Sequence, residues 1–188
     1  MTFSQTILEE AAMSLDWLTA RLIFYPTLWW NMLLGRLLNV RNWWDKVDSH
    51  VIIGAFPFAR DVKRMASEGV GAVVNTCEEY EGPIKEYAEH DIRQLRIPTV
   101  DFTHPLLEDV ERAVEFMDQQ IQEGRTVYVH CKAGRARSAT VVICWLIRFK
   151  QMTAAEGQAL LLKSRPHVNP RLPSRPVVQE FQAKYLSK

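Results

Sequence analysis

The chain has 188 residues but only three cysteines, no apolar run long enough to cross a bilayer, and a net charge of just +1. Three cysteines are too few, and too odd in number, for a framework of disulfides, which points to a reducing compartment. The five histidines form no ligand cluster, so no metal is expected, and nothing calls for another cofactor. Internal repeats and low-complexity stretches are absent. With 47% apolar and 24% charged residues, the composition excludes a disordered or collagen-like chain. The length fits one domain with a short appendage and suffices to bury a sizeable core.

The small net charge is a cancellation. Residues 1–44 carry three basic and three acidic side chains, whereas residues 45–121 carry eight and sixteen, net −8. Residues 122–188 carry twelve and three, net +9, which suggests an anion-handling surface in the last third. The competing reading is two solvated faces of opposite sign.

Tryptophan is uneven too: Trp17, Trp29, Trp30, Trp43 and Trp44 are five of the six. They flank an uncharged stretch, Leu22–Leu34, bounded by Arg21 and Arg36. Thirteen helical residues reach about 20 Å, short of a hydrocarbon core roughly 30 Å thick, and Pro26 interrupts them. An interfacial or re-entrant segment fits better than a spanning helix, and membrane contact is favoured over packing against the domain. A secretory signal is disfavoured, because Glu9 and Glu10 stand where positive charge is needed. The expected organisation is residues 1–40 as an apolar, Trp-rich, membrane-associating segment and residues 41–188 as a catalytic domain.

From Asp45 onward the pattern is α/β. Strands are expected within Val47–Ala55, at Gly71–Asn75, Gln94–Val100 and Thr126–His130. Helices are expected over Ala59–Glu68, Glu86–His90, Leu107–Glu123, Ala139–Lys150, from Thr153 to near Ser164, and over Val177–Leu186. Thr153 and Glu156 form a capping box, and Gly69 and Gly124 close their helices. The alternation implies a central, mostly parallel sheet flanked by helices.

The chemistry concentrates at His130-Cys131-Lys132-Ala133-Gly134-Arg135-Ala136-Arg137-Ser138, between a β-branched strand and an apolar helix. Cys-x5-Arg alone is weak, arising by chance about once in four chains of this composition. The strand before it, the helix after it, the glycine within it and the serine behind it make chance a poor explanation. Such a loop can turn the amides of Lys132, Ala133, Gly134, Arg135 and Ala136 toward one anion, aided by the helix dipole. Arg137 adds a two-pronged donor suited to phosphate oxygens. The same field depresses the Cys131 thiol, giving a nucleophile aimed at phosphorus, and Ser138 can donate to that sulfur as it leaves. His130 is expected to bond locally and hold the loop. Asp101 ends its strand on the side where open parallel sheets place their sites, so it is the candidate general acid and then base. Glu108, Asp109 and Asp118 fall on a helix and are read as solvated. Cys77 also ends a strand and is either a buried thiol or a reversible partner of Cys131, while Cys144 is read as core.

These residues resemble the Cys-based phosphatases in their dual-specificity branch, and more closely its mitochondrial phosphatidylglycerophosphate phosphatases. The resemblance is carried by Phe24-Tyr25-Pro26-Thr27-Leu28, Gly54-Ala55, Glu78-Glu79-Tyr80-Glu81, Thr99-Val100-Asp101 and Val127–Thr140. It implies a dual-specificity-phosphatase-like fold, with Cys131 as nucleophile, Arg137 as phosphate clamp and Asp101 as general acid. It also implies that the loop with Glu79 and Tyr80 lines the substrate cleft, and that the protein works at the mitochondrial inner membrane. Asn169-Pro170-Arg171 departs from a stretch that in the family is more β-branched.

The expected activity is removal of the terminal phosphate of phosphatidylglycerophosphate, through a phosphocysteine, to give phosphatidylglycerol for cardiolipin. Lys132 and Arg135 supply more charge than one phosphate needs, as a headgroup with two phosphates requires. The alternatives are a dual-specificity protein or phosphoinositide phosphatase and, less favoured, a non-catalytic headgroup-binding scaffold. Expected partners are the anionic phospholipid and a membrane surface, not nucleic acid, with the protein a monomer.

Overall fold

The computed structural model describes residues 26–30, 32, 33, 38 and 40–186. The expected membrane-associating segment, residues 1–40, therefore lies mostly outside the described residues. Within it, residues 26–30 are helical.

Five strands form one sheet: β1 (Trp44–Lys46), β2 (Val51–Ala55), β3 (Val70–Cys77), β4 (Arg93–Thr99) and β5 (Thr126–Cys131). Their order is β1-β2-β5-β3-β4. The last four are mutually parallel, and β1 is an antiparallel edge, pairing Trp44 with Gly54. From Ala59 onward the helices are α1 (Ala59–Ser67), α2 (Ile84–Glu89), α3 (Leu107–Gln122), α4 (Arg137–Lys150), α5 (Ala154–Ser164) and α6 (Pro176–Tyr185). A 3₁₀ turn, Leu172–Ser174, joins the last two.

Strand alternation makes the two faces. On β5, Val127 and Val129 turn to a core shared with α3, α4, α5 and α6, while Tyr128 turns to a smaller core with α1, α2, Trp43 and Trp44. Helix α4 is buried continuously from Arg137 to Ile147, as its nearly all-apolar sequence requires. It begins two residues before the expected Ala139, so Arg137 and Ser138 belong to its first turn. The Thr153–Glu156 capping box forms as expected.

One close approach fixes the loop that follows β5. Gly134 has φ +66°, and a Cβ there would lie 2.5 Å from the carbonyl carbon of Gly54. No side chain fits between these two backbones, and the left-handed conformation favours glycine independently.

Candidate active site

Because β2, β3, β4 and β5 are parallel, their carboxyl ends gather on one side of the molecule. Cys131 ends β5, Asp101 stands two residues beyond β4 and Glu79 two beyond β3. All the loop residues from Cys131 to Arg137 except Gly134 line a cleft of ≈570 Å³, together with Asp101. The remaining walls are Thr27, Trp30, Arg41, Phe102, Thr103, Asn169, Pro170, Arg171 and Arg175.

Cys131 is buried, and burial alone would raise its thiol. The Arg137 charge, the Ser138 hydroxyl and the amides of Ser138 and Arg135 overcome this and bring it down to about 7. The Ser138 hydroxyl stands 3.3 Å from the sulfur. A thiolate is thus substantially populated near neutrality. Cys77 and Cys144 differ: burial pushes both thiols up, and all three cysteines are free. The ring of His130 is buried against Tyr128 and Tyr80, and burial pushes its pKa down to about 3, so it is uncharged at neutral pH. Its backbone, rather than an ionised ring, ties the loop, the carbonyl accepting from Thr76 Oγ1 at 2.9 Å.

Arg137 is 2% exposed and holds three oxygens. Its Nη1 donates to Glu79 Oε2 at 2.9 Å and to the Thr99 carbonyl at 2.6 Å, and its Nη2 pairs with Asp101 Oδ1 at 2.9 Å. Burial opposes its charge, but the two thiols and the two carboxylates around it outweigh burial and hold it firmly protonated. Asp101 also pairs with Lys132 Nζ, which in turn donates to Thr27 Oγ1 at 2.7 Å. The carboxylate therefore bridges two cations of the loop, Lys132 and Arg137. Phe102 follows at φ +67°, 70% exposed, with Lys132 Nζ 5.2 Å from its ring centre. A bulky residue in that conformation carries local strain, and here it sits at the cleft mouth.

Glu79 and Tyr80 stand behind the cleft wall rather than in its lining. The Glu79 carboxylate spends both oxygens internally, on Arg137 and on the Asp101 amide at 2.9 Å. The Tyr80 hydroxyl donates to the Pro57 carbonyl at 2.5 Å, and its ring packs on Phe56. Glu79 thereby aims both the clamp and the acid.

Sequence reasoning missed a second arginine beneath the loop. Arg165, 1% exposed, donates through Nε to the Gly134 carbonyl at 2.9 Å and through Nη2 to the Ala133 carbonyl at 3.0 Å. Its Nη1 pairs with Asp45 at 2.5 Å. No local signal marks this pair, whose members lie 120 positions apart. Thr27, Trp30, Arg41 and Arg175 also line the cleft without a local sequence signal, since each arrives from a distant segment. Among the described residues, no group of three or more His, Cys, Asp or Glu could hold a metal ion.

Residues 51–184 match the family model described as dual specificity phosphatase, catalytic domain. The chain is 40% identical over 176 residues to the phosphatidylglycerophosphate phosphatase PTPMT2 of Arabidopsis thaliana, covering 92% of this chain and 77% of that protein. It is 36% identical over 171 residues to phosphatidylglycerophosphatase and protein-tyrosine phosphatase 1 of Mus musculus, covering 86% and 89%. Among solved structures it is similar to PTPMT1 in complex with PI(5)P, at 33% identity and a TM-score of 0.70, over 77% of this chain and 97% of that one.

Proposed function

The chain belongs to the dual specificity phosphatase family, and we propose that it removes the terminal phosphate of phosphatidylglycerophosphate to give phosphatidylglycerol, the precursor of cardiolipin. The observation that carries this reading is a Cys131–Arg137 loop at the foot of a cleft lined by Arg41, Arg135, Arg171 and Arg175 as well. One phosphomonoester is met by the loop amides and the Arg137 fork. The additional cations suit a headgroup that bears a phosphodiester beside it. The similarity to phosphatidylglycerophosphate phosphatases supports the same substrate.

In this reading Cys131 Sγ attacks phosphorus as the bond to the glycerol oxygen breaks, and Asp101 gives its proton to that oxygen. The amides of Lys132, Ala133, Gly134, Arg135 and Ala136 and the Arg137 guanidinium hold the three equatorial oxygens. Asp101 bridges Lys132 and Arg137, so a phosphate entering the loop competes for both cations and releases the carboxyl toward the leaving group. In the second step Asp101 takes a proton from water, which attacks the phosphocysteine. The sulfur then leaves as a thiolate, stabilised by the Ser138 hydroxyl.

The proposal places the protein, as a monomer, at the mitochondrial inner membrane. Residues 1–40 would make the contact, with Trp29, Trp30, Phe102 and Leu106 exposed. No helix among the described residues is long and apolar enough to cross a membrane. Deleting residues 1–36 should release the protein from anionic liposomes, and continued co-sedimentation would refute the contact.

The deciding experiment compares turnover of phosphatidylglycerophosphate, phosphoinositides and phosphotyrosine peptides. The first is expected to exceed the peptides by orders of magnitude, and the reverse order refutes the lipid reading. A phosphoinositide phosphatase with the same chemistry is the second reading, favoured by the similar structure solved with PI(5)P. Fastest turnover of phosphoinositides would select it.

A further inference from the structure

We propose that Arg171 and Arg175, with Arg135 of the loop, form a second anion subsite. It takes a phosphodiester joined through a short polyol to the phosphomonoester over Cys131. The inference deepens the proposed lipid-phosphate function and rests on it for the substrate's length.

The cations of the cleft fall into two sets. Arg137 and Lys132 are paired with Asp101, the one acidic residue of the lining among the described residues. Arg135, Arg171 and Arg175, and Arg41 on the opposite segment, have no carboxylate at ion-pair distance among the described residues, although they share the cleft. Crowding unpaired cations costs free energy, more so where solvent is partly excluded, and an anionic ligand offsets that cost. Arg175 is half-buried, and burial lowers its pKa. Its Nη1 donates to Thr140 Oγ1, 3.0 Å away in the first turn of α4, which places the guanidinium beside the loop. Nearby, His167 is pushed down to about 4, first by burial and then by Arg165, Arg41 and Arg135.

The arm that carries these arginines is held in place. Arg171 and Arg175 bracket the 3₁₀ turn Leu172–Ser174, whose Leu172 is fully buried. The Leu172 amide donates to Gln158 Oε1 at 3.3 Å, and the Arg175 amide to the Leu172 carbonyl at 3.0 Å. The arm is tied to the loop, because the Asn169 amide donates to the Arg135 carbonyl at 2.8 Å. Arg135 Nε is spent on the His167 carbonyl at 2.8 Å, which fixes its stem and leaves the terminal nitrogens for a ligand. Two fixed anion positions result: the loop itself, and the arginines between loop and arm. A phosphomonoester and a phosphodiester on one small polyol match that pair, whether the polyol is glycerol or inositol.

The test uses soluble, acyl-free substrates, so that no membrane enters. Glycerophosphoglycerophosphate and glycerophosphoinositol 5-phosphate carry both phosphate types, whereas glycerol 3-phosphate carries only the monoester. The unaltered enzyme is expected to favour one of the first two over glycerol 3-phosphate in kcat/KM by about a hundredfold, and the better one identifies the polyol. That ratio should fall about tenfold in Arg175→Gln and about tenfold again with Arg171→Gln, given the strength of charge-assisted bonds to phosphate. A double Arg→Lys variant, which keeps the charge, should retain most of the ratio. If the Gln variants lose activity on all substrates in parallel with the ratio intact, the arginines are structural and the subsite is refuted alone. If the unaltered enzyme shows no preference for either two-phosphate substrate, the lipid-phosphate reading fails and the subsite with it.

Discussion

Replacing Ser138 with alanine removes the hydroxyl 3.3 Å from the Cys131 sulfur while leaving the loop amides and Arg137 in place. The sulfur stands at about 7 because those donors overcome burial. One hydrogen bond to a charged group is worth about 1.5 kcal/mol at the low end, or about one pKa unit, so the thiol should move to about 8. The thiolate fraction at pH 7 then falls from about one half to about one tenth. A more basic thiolate is also more nucleophilic, by about threefold for one unit. The alkylation rate at pH 7 therefore drops only about twofold, and a single-pH assay would miss the effect. The informative measurement is the full pH profile of iodoacetamide alkylation, whose midpoint should rise by about one unit while its plateau climbs. The same shift makes the sulfur a poorer leaving group, so phosphocysteine should accumulate and a burst precede the steady state. A midpoint within about 0.3 units of the unaltered enzyme would refute the assigned role of Ser138.

Asp101→Asn removes the proton donor, and kcat on an alkyl phosphate should fall about 10²-fold or more, with loss of the alkaline limb of the pH profile; an unchanged profile refutes the role. Arg165→Met strands the Asp45 carboxylate and two loop carbonyls, and urea unfolding should show a loss of about 3–5 kcal/mol; a loss under about 1 kcal/mol would show that the pair does not support the loop. The depressed Cys131 thiol contributes stability that is complete above its ordinary value of 9.0 and is lost as pH falls through about 7. The stability advantage of the unaltered protein over Cys131→Ser should therefore grow between those limits, and parallel curves would contradict the depressed thiol.

The fold was largely legible because its signals are local. Each expected helix and strand from Ala59 onward is present within a few residues, since strand alternation, glycine stops and the Thr153 capping box act over single turns. The first strands were less legible: β1 spans three residues and gains its partners only by pairing with β2. The loop was readable for the same reason as the helices, since nucleophile, amides, clamp and Ser138 lie within eight consecutive residues.

What the sequence by itself determined is the chemistry: the strand, glycine-bearing loop and helix that hold Cys131 and Arg137 are written in eight consecutive residues and their flanks. Only the tertiary structure decided how that loop is aimed and what surrounds it. The parallel sheet brings the ends of β3, β4 and β5 to one side, so that Glu79, Asp101 and Arg137 meet across 58 positions of sequence. The packing of α5 sends Arg165 beneath the loop to Asp45, and the turn after it returns Arg171 and Arg175 to the cleft. Such contacts leave no periodic trace, because a buried ion pair depends on where two distant backbones come to rest and not on the spacing of residues along either one.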